Sequence, residues 1–528
     1  MKSARRLSFL GHLLLAASVL GVVAESRPAA PGGPVVNAVQ VGARTRVSPR
    51  RLPQPGEFNV LVVVLDDLGT DKLGIYAADG GPPVACSSPQ VSAIPTPNLD
   101  ALRSDGVLFT RCYANPTCSP TRAALLTGRY GMRTGMGHAV NPSDDPGYRL
   151  PTSETMVAEL IRDVNTFPYR RGAFGKWHLA DYEADDCHPA ECGFERFDGL
   201  MGNPTSHYDW RKVTALGGTA LGCGSSSSAQ VPAVPGLPPS TDSWDAAVTR
   251  ADALAWIQGL SSSERFFAYV AFSPPHAPFE VPPYSTLSRR TAARLSFLGY
   301  EAGDTARSGE ADDERLIYHS NIEALDHEVG ELLAGIPASV LAQTVVLVVG
   351  DNGTVGTMIS DPALVGHGKR TLYELGTRVP LIVQGPIAPA GGTCRSLVGL
   401  VDLWRTIAEL TGLRSADIDA AMGGTAVDAE SFLDGITRPT STLARATAYS
   451  EAFPNGAPPP ASASYLRGIT DGAYRYMRIY SDAGVMSERL YHLPSDPCES
   501  LDLLAAPHLL TGPESAALAL LRVAMDAI

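Results

Sequence analysis

Phe58-Asn59-Val60-Leu61-Val62-Val63-Val64-Leu65 is an almost unbroken apolar run that stops abruptly at Asp66-Asp67. No alternation of apolar and polar residues marks a wet face, so the run predicts a strand covered on both sides, as in a parallel sheet. Comparable runs occupy Phe266 to Phe272, Thr344 to Val349 and Val379 to Val383. Helical stretches lie between and after them. Leu316 to Ile336 carries Ile322, Leu325, Val329, Leu332 and Leu333 on one stripe, and Val401 to Leu410 is stopped by Gly412. This alternation predicts an α/β fold: a large, mostly parallel mixed sheet flanked by helices, with ligands bound at the carboxyl ends of its strands. After about Arg438 the texture changes. Tyr465 to Ile469 and Ala473 to Tyr480 flank Thr470-Asp471-Gly472, a hairpin signal. A strand near Leu490 to Leu493 and a helix from Glu514 complete a smaller C-terminal α+β subdomain with an antiparallel sheet. The expected division is a main domain over 58–440 and a subdomain over 441–528.

The first residues, Met1-Lys2-Ser3-Ala4-Arg5-Arg6, are basic, and an apolar stretch from Leu7 ends in Val22-Val23-Ala24. That order matches a cleavable signal peptide over 1–24, followed by a Pro/Ala-rich linker over 25–57. No other segment offers about 18 uninterrupted apolar residues, so no stable membrane insertion is expected. The net charge of −13 provides no general attraction for a phosphate backbone, so nucleic acid is not an expected partner. Export, to a periplasm or the exterior, makes disulfides reasonable among the 8 cysteines. Cys187 and Cys192 are close enough for a small disulfide loop; Cys187-His188 with Glu191-Cys192 reads alternatively as a zinc site, and connectivity is not legible. The glycosylation pattern occurs only at Asn352-Gly353-Thr354, a position claimed below by metal, which fits a bacterial exported protein better than a glycosylated one. Leu216 to Pro239, with Ser225 to Ser228, predicts a long flexible excursion.

Two distant runs end in hard oxygen ligands: Asp66-Asp67 and Asp351-Asn352. If their strands are neighbours, three carboxylates and an amide oxygen converge, which is repulsive without a cation. Oxygen-only ligands suit Ca²⁺, or less often Mg²⁺, rather than zinc. Between the pairs, Cys118-Ser119-Pro120-Thr121-Arg122 opens a predicted helix that Gly128 closes. Cys118 then sits where unpaired N–H groups attract anions, with Arg122 one turn on as a fixed cation near the sulfur.

Cys118-x-Pro120-x-Arg122 with Leu126-Thr127-Gly128-Arg129 resembles the signature of the type I sulfatases, formylglycine-dependent members of the alkaline phosphatase superfamily, and the arylsulfatase A/B group above all. Further matches are Leu65-Asp66-Asp67-Leu68-Gly69, Gly175-Lys176-Trp177-His178, Pro275-His276-Ala277-Pro278, Asp351-Asn352-Gly353 and Gly368-Lys369, then Leu490-Tyr491-His492-Leu493 and Asp496-Pro497-Cys498-Glu499. Thr121 stands where Ser is commoner, and His492 where Asp is usual.

The resemblance implies hydrolysis of sulfate monoesters, aryl or saccharide, to alcohol and sulfate. It implies that a maturation enzyme converts Cys118 to formylglycine, and that Asp66, Asp67, Asp351, Asn352 and modified Cys118 hold the metal. Lys176, His276 and Lys369 would bind the sulfate, with Arg122 adding charge. The implied route has the hydrated aldehyde attack sulfur while His276 or Lys369 protonates the departing alcohol. His178 then takes a proton as the aldehyde re-forms and sulfate leaves. Two rival readings remain at this stage: a phosphonate or phosphodiester hydrolase of the same superfamily, and a non-catalytic anion- or carbohydrate-binding protein. Trp177 reads as packing behind the site, His367 as a structural histidine, and Asp181 to Tyr208 with the Ser-rich excursion as pocket walls.

Overall fold

The computed structural model describes residues 58–77, 94–182, 184–217, 222–231, 242–453, 465–480 and 486–528. The expected signal peptide and linker lie outside these residues. The strands are β1 (Asn59–Leu65), β2 (Val107–Tyr113), β3 (Tyr169–Lys176), β4 (Arg196–Leu200), β5 (Trp210–Gly217), β6 (Cys223–Val231), β7 (Arg265–Phe272) and β8 (Thr344–Gly350). There follow β9 (Arg378–Gln384), β10 (Gly392–Cys394), β11 (Val398–Gly399), β12 (Ala448–Ala452), β13 (Leu466–Thr470), β14 (Tyr474–Tyr480) and β15 (Met486–His492).

The large sheet runs β10-β2-β9-β8-β1-β7-β3-β4-β5-β6, with β11 beside β2. Its centre, β8-β1-β7-β3-β4, is parallel, whereas β9 pairs antiparallel with both β2 and β8, and β5 antiparallel with β4 and β6. The unbroken apolar run of β1 has a direct physical reason. Val60, Val62 and Val64 face one core cluster, and Leu61, Val63 and Leu65 face the other. A fully buried side chain of this size contributes roughly 1.5–3 kcal/mol, so neither face tolerates a polar residue. Helix Ala311–Gly335 covers one face through Ile322, Leu325, Val329 and Leu332, and helix Leu403–Leu410 covers the other through Trp404 and Ile407.

The second sheet, β12-β13-β14-β15, is antiparallel. Its expected hairpin turns at Gly472, in the left-handed region at φ 85°, while Asp471 Oδ1 accepts from the backbone N–H of Ala473 (2.8 Å) and Tyr474 (2.7 Å). Helix Gly512–Asp526 begins with Thr511 as cap and Glu514 reaching back to its N–H at 2.7 Å. A junction of buried charge joins this sheet to the large one. Arg475 on β14 pairs with Glu374 and, at 3.1 Å, with Glu499; Arg378 lies 3.2 Å from Glu374, and Glu499 accepts from the Glu374 N–H at 2.6 Å.

Two expectations are corrected. Cys187 is bonded to Cys223, not Cys192, with Cα atoms 5.4 Å apart. The turn His188–Glu191 carries Cys192 into the core, where it remains a buried thiol. Zinc is excluded there too: His188 Nδ1 accepts from Trp177 Nε1 at 3.0 Å and Nε2 meets the Leu150 carbonyl at 2.8 Å, so no lone pair remains for a metal. The Ser-rich segment is no loose excursion where it is described, because Ser225–Ser228 lie in edge strand β6 and register against Leu216–Val213 of β5. No helix among the described residues is long and apolar enough to cross a membrane.

Candidate active site

Parallel pairing of β1 with β8 places Leu65 opposite Gly350, so the two acidic pairs leave the sheet side by side. The Asp67 N–H donates to Asp351 Oδ1 (3.2 Å), and Asn352 Nδ2 donates to Asp67 Oδ1 (2.8 Å). Oxygens of Asp66, Asp67 and Asp351 all lie within 4.8 Å of one another. Asp67 adopts φ 56°, a left-handed bend secured by Tyr318, whose hydroxyl donates to the Asp67 carbonyl at 2.8 Å.

Cys118 is the first residue of helix Cys118–Thr127, which ends at Gly128 with φ 69°. A Cβ at Gly128 would sit 2.7 Å from the Trp404 ring, so both conformation and packing require glycine there. Arg122 interacts electrostatically with Cys118 and has a second task as well. Its guanidinium is committed to Asp351, with Nε at 3.0 Å and Nη2 at 2.8 Å from Oδ2, and to the Lys176 carbonyl at 2.8 Å. Arg122 therefore braces a carboxylate, a task its planar fork suits. The cations acting most on Cys118 are Lys176 and Lys369, yet burial dominates and pushes the thiol up from its ordinary pKa.

β3 delivers Lys176, buried and paired with Asp66. Just before it, a Cβ on Gly175 would stand 2.0 Å from the Ala271 carbonyl, so the close approach of β3 to β7 demands glycine. Lys369 Nζ lies 2.5 Å from Asp67 Oδ1, and His276 Nε2 lies 3.8 Å from Asp67 Oδ2. Cys118, Asp66 and His276 bring a sulfur, an oxygen and a nitrogen within 4.8 Å of one another. His178 is fully buried, its Nε2 at 2.9 Å from both the Val140 carbonyl and the Tyr182 hydroxyl, while Nδ1 has no hydrogen-bond partner. All the expected residues thus converge. Trp177 packs in the core behind them, and His367 is structural, stacked on Tyr373 and bonded to the Cys498 carbonyl at 3.1 Å.

The electrostatics explain what this arrangement can hold. Burial opposes charge on Asp66, but Lys176, His276, Arg122 and Lys369 outweigh it and keep the carboxyl well below its usual range. Burial and the Asp66 charge push Asp351 up, to about 7. Three acids, Asp66, Asp67 and Asp351, face three bases, Lys176, Lys369 and Arg122, so a divalent cation would add net positive charge to the cluster. Two buried oxygens, Asp66 Oδ1 and Asn352 Oδ1, have no hydrogen-bond partner. Such orphaned acceptors beside a carboxylate cluster fit a hard cation. Burial and Lys176 lower His276 to about 4 and keep His178 neutral, whereas Lys369, despite burial, is held charged by Asp67.

Sequence reasoning missed several partners. Tyr269 meets Arg122 Nη1 at 3.3 Å, Tyr182 meets His178, and His207 lies under the His276 backbone. Tyr182 and His207 fall in the segment read as pocket wall, but no spacing singles them out.

Known proteins can now be set beside this geometry. The Sulfatase family model matches residues 58–413. N-acetylgalactosamine-6-sulfatase of Canis lupus familiaris is 30% identical over 396 residues, 68% of this chain and 63% of that protein. Arylsulfatase A of Homo sapiens is 31% identical over 381 residues, 67% of this chain and 64% of that one. The chain thus spans a little under two thirds of the length of these relatives. The crystal structure of a phosphonate monoester hydrolase of Agrobacterium radiobacter shares the fold, with a TM-score of 0.59 and 21% identity over 89% of this chain and 95% of that one. The family match over most of the large sheet, together with 30% identity across more than two thirds of the sequence, establishes that this chain belongs to the sulfatase family.

Proposed function

We propose that this protein is an exported sulfuric ester hydrolase that cleaves sulfate monoesters, aryl or saccharide, using a formylglycine formed from Cys118. The observation that carries the reading is the meeting of Cys118, Asp66 and His276 within 4.8 Å, at the edge where two acidic pairs converge. A buried thiol with a raised pKa is a poor nucleophile, and the site around it is built for an anion, so oxidation of Cys118 by a maturation enzyme makes chemical sense of the position.

Asp66, Asp67, Asp351 and Asn352 would hold Ca²⁺, with Mg²⁺ the alternative, and residue 118 would complete the ligand set. When bound, the metal supplies Lewis-acid polarisation and positive charge. Lys176 and Lys369 set two ammonium groups against the sulfate oxygens, where charge builds in the transition state. Arg122 orients Asp351 and favours its ionised form against the pull of burial. His276, with Lys369 behind it, faces the leaving oxygen and supplies its proton; an arriving sulfate anion raises the affinity of His276 for that proton. His178, neutral and with Nδ1 free, is suited to accept one from the residue 118 side chain.

Intact-mass measurement of the Cys118 peptide, from protein produced with its maturation enzyme, and hydrolysis of a panel of sulfated saccharides and aryl sulfates beside aryl phosphonate test the reading. The aldehyde mass and preferential sulfate release are expected. An unmodified thiol, or faster phosphonate cleavage, would overturn it.

A further inference from the structure

We infer that His207, locked to Asp245, is a positioning residue that fixes the proton donor His276. The inference rests on the reading above, and it singles out His276, rather than Lys369, for the leaving oxygen.

His207 and Asp245 are both fully buried, at 0% exposure. His207 Nδ1 lies 2.9 Å from Asp245 Oδ2, and Nε2 lies 2.9 Å from the carbonyl oxygen of His276. A carboxylate and a carbonyl are both acceptors. Each ring nitrogen must therefore donate, and His207 is a doubly protonated imidazolium. Burial works against that charge, but Asp245 outweighs it and pushes the ring up to about 9. Glu280 adds a second acid, accepting from the His207 N–H at 2.7 Å and from the Ser206 hydroxyl at 3.1 Å.

The consequence falls on the backbone of His276. Its carbonyl is gripped from below by a charged donor, and its N–H donates to the Ser273 carbonyl at 2.9 Å. Its ring Nδ1 donates to the Ala277 carbonyl at 2.6 Å, leaving Nε2 on the side of Asp67. Peptide and ring are thus fixed together, with Nε2 held toward the cluster of Cys118 and Asp66. Helix Asp245–Gly259 begins at Asp245, so the clamp is anchored in a regular element and not in a loop. With Nδ1 committed to the Ala277 carbonyl, Nε2 takes up a proton from solvent as the anionic sulfate ester binds; when the sulfur–oxygen bond breaks, its electron pair moves to the departing oxygen and that proton joins it. Misplacing such a donor by about 1 Å can lower the rate ~100-fold.

Full-length His207→Gln and Asp245→Asn proteins are compared with the parent on phenyl sulfate, whose leaving group needs a proton, and on 4-nitrophenyl sulfate, whose leaving group does not. A loss of kcat of ~100-fold on phenyl sulfate, below ~5-fold on 4-nitrophenyl sulfate, with KM within about twofold, is expected. Equal losses on both esters, or none on phenyl sulfate, overturn the inference. Nitrogen-15 spectra of the histidine-labelled parent protein at neutral pH give a readout independent of variant folding. A doubly protonated His207 supports the clamp, and a neutral ring overturns it. If the parent cleaves neither ester nor any sulfated saccharide of the panel, the sulfatase reading fails and the ring protonation decides the clamp by itself.

Discussion

The candidate site and the junction beside the second sheet each bury acids and bases in equal number, yet they are closed in different ways. At the junction both cations are arginines, Arg378 and Arg475, which hold Glu374 between them, while Arg475 Nε and Glu499 Oε1 face each other as an ion pair at 3.1 Å. At the site two of the three cations are lysines, point charges on flexible stems, and Asp66 Oδ1, Asn352 Oδ1 and His178 Nδ1 remain unpartnered. Backbone strain marks both places. The non-glycine residues at positive φ among the described ones are Asp67, His178 and Arg370 at or beside the site and Glu499 at the junction. A closed cluster fastens the chain to itself, whereas an open one reserves its charge for something that arrives later.

Removing the nucleophile should separate the two regions most sharply. Cys118→Ala is expected to lower aryl sulfate turnover by roughly 10⁴-fold or more while the urea midpoint barely moves; a variant keeping a tenth of the activity would break the contrast. Arg475→Met should do the reverse. It leaves Glu499 without its ion partner and Glu374 with Arg378 alone, and should remove about 3–5 kcal/mol of stability, with turnover per folded molecule retained. A smaller effect tests the support beneath the site. The His207 pKa is raised in the folded state, to about 9, so its contribution is complete below about pH 6.5 and fades as pH rises through 9. Thermal melts from pH 6 to 10 should show a decline of roughly 3 kcal/mol that His207→Gln removes.

Adding Ca²⁺ to chelator-treated protein should stabilise it by ~2.7 kcal/mol at a hundredfold excess over Kd. Asp66→Ala should abolish that shift, and Arg475→Met should preserve it. The smallest change concerns strain alone. Arg370, exposed at φ 73°, pays for a conformation that glycine adopts freely, so Arg370→Gly should raise the unfolding free energy, read from urea titration, by up to ~1 kcal/mol.

The sequence made the open cluster more legible than the closed one. Strands buried on both faces write themselves as apolar runs, and ligands at their ends interrupt those runs with acid, so Asp66, Asp67, Asp351 and Asn352 stood out. Cys118, Lys176, His178, His276 and Lys369 were carried by short motifs. The antiparallel insertion of β9 was invisible, because a buried strand reads the same in either direction. The Ser225–Ser228 strand was hidden because its order comes from the backbone ladder to β5 and not from side chains. The Cys187–Cys223 bond and the His207–Asp245 pair depend on segments meeting across 36 and 38 positions, and nothing local encodes those meetings; Tyr182 lies only 4 positions from His178, but no motif marks it.

The bond between Cys187 and Cys223 does not act alone in coupling that outer hairpin to the interior. Arg211 on β5 grips Asp186 with both terminal nitrogens, at 2.9 and 2.6 Å, and holds the Tyr182 carbonyl at 2.8 Å. Tyr182 in turn touches His178. The rim segment is therefore sewn at several points to a peripheral ribbon that joins the large sheet through the pairing of β5 with β4. Remodelling that ribbon, in a laboratory or over evolutionary time, offers a way to recontour the doorway to the pocket while the machinery inside stays as it is.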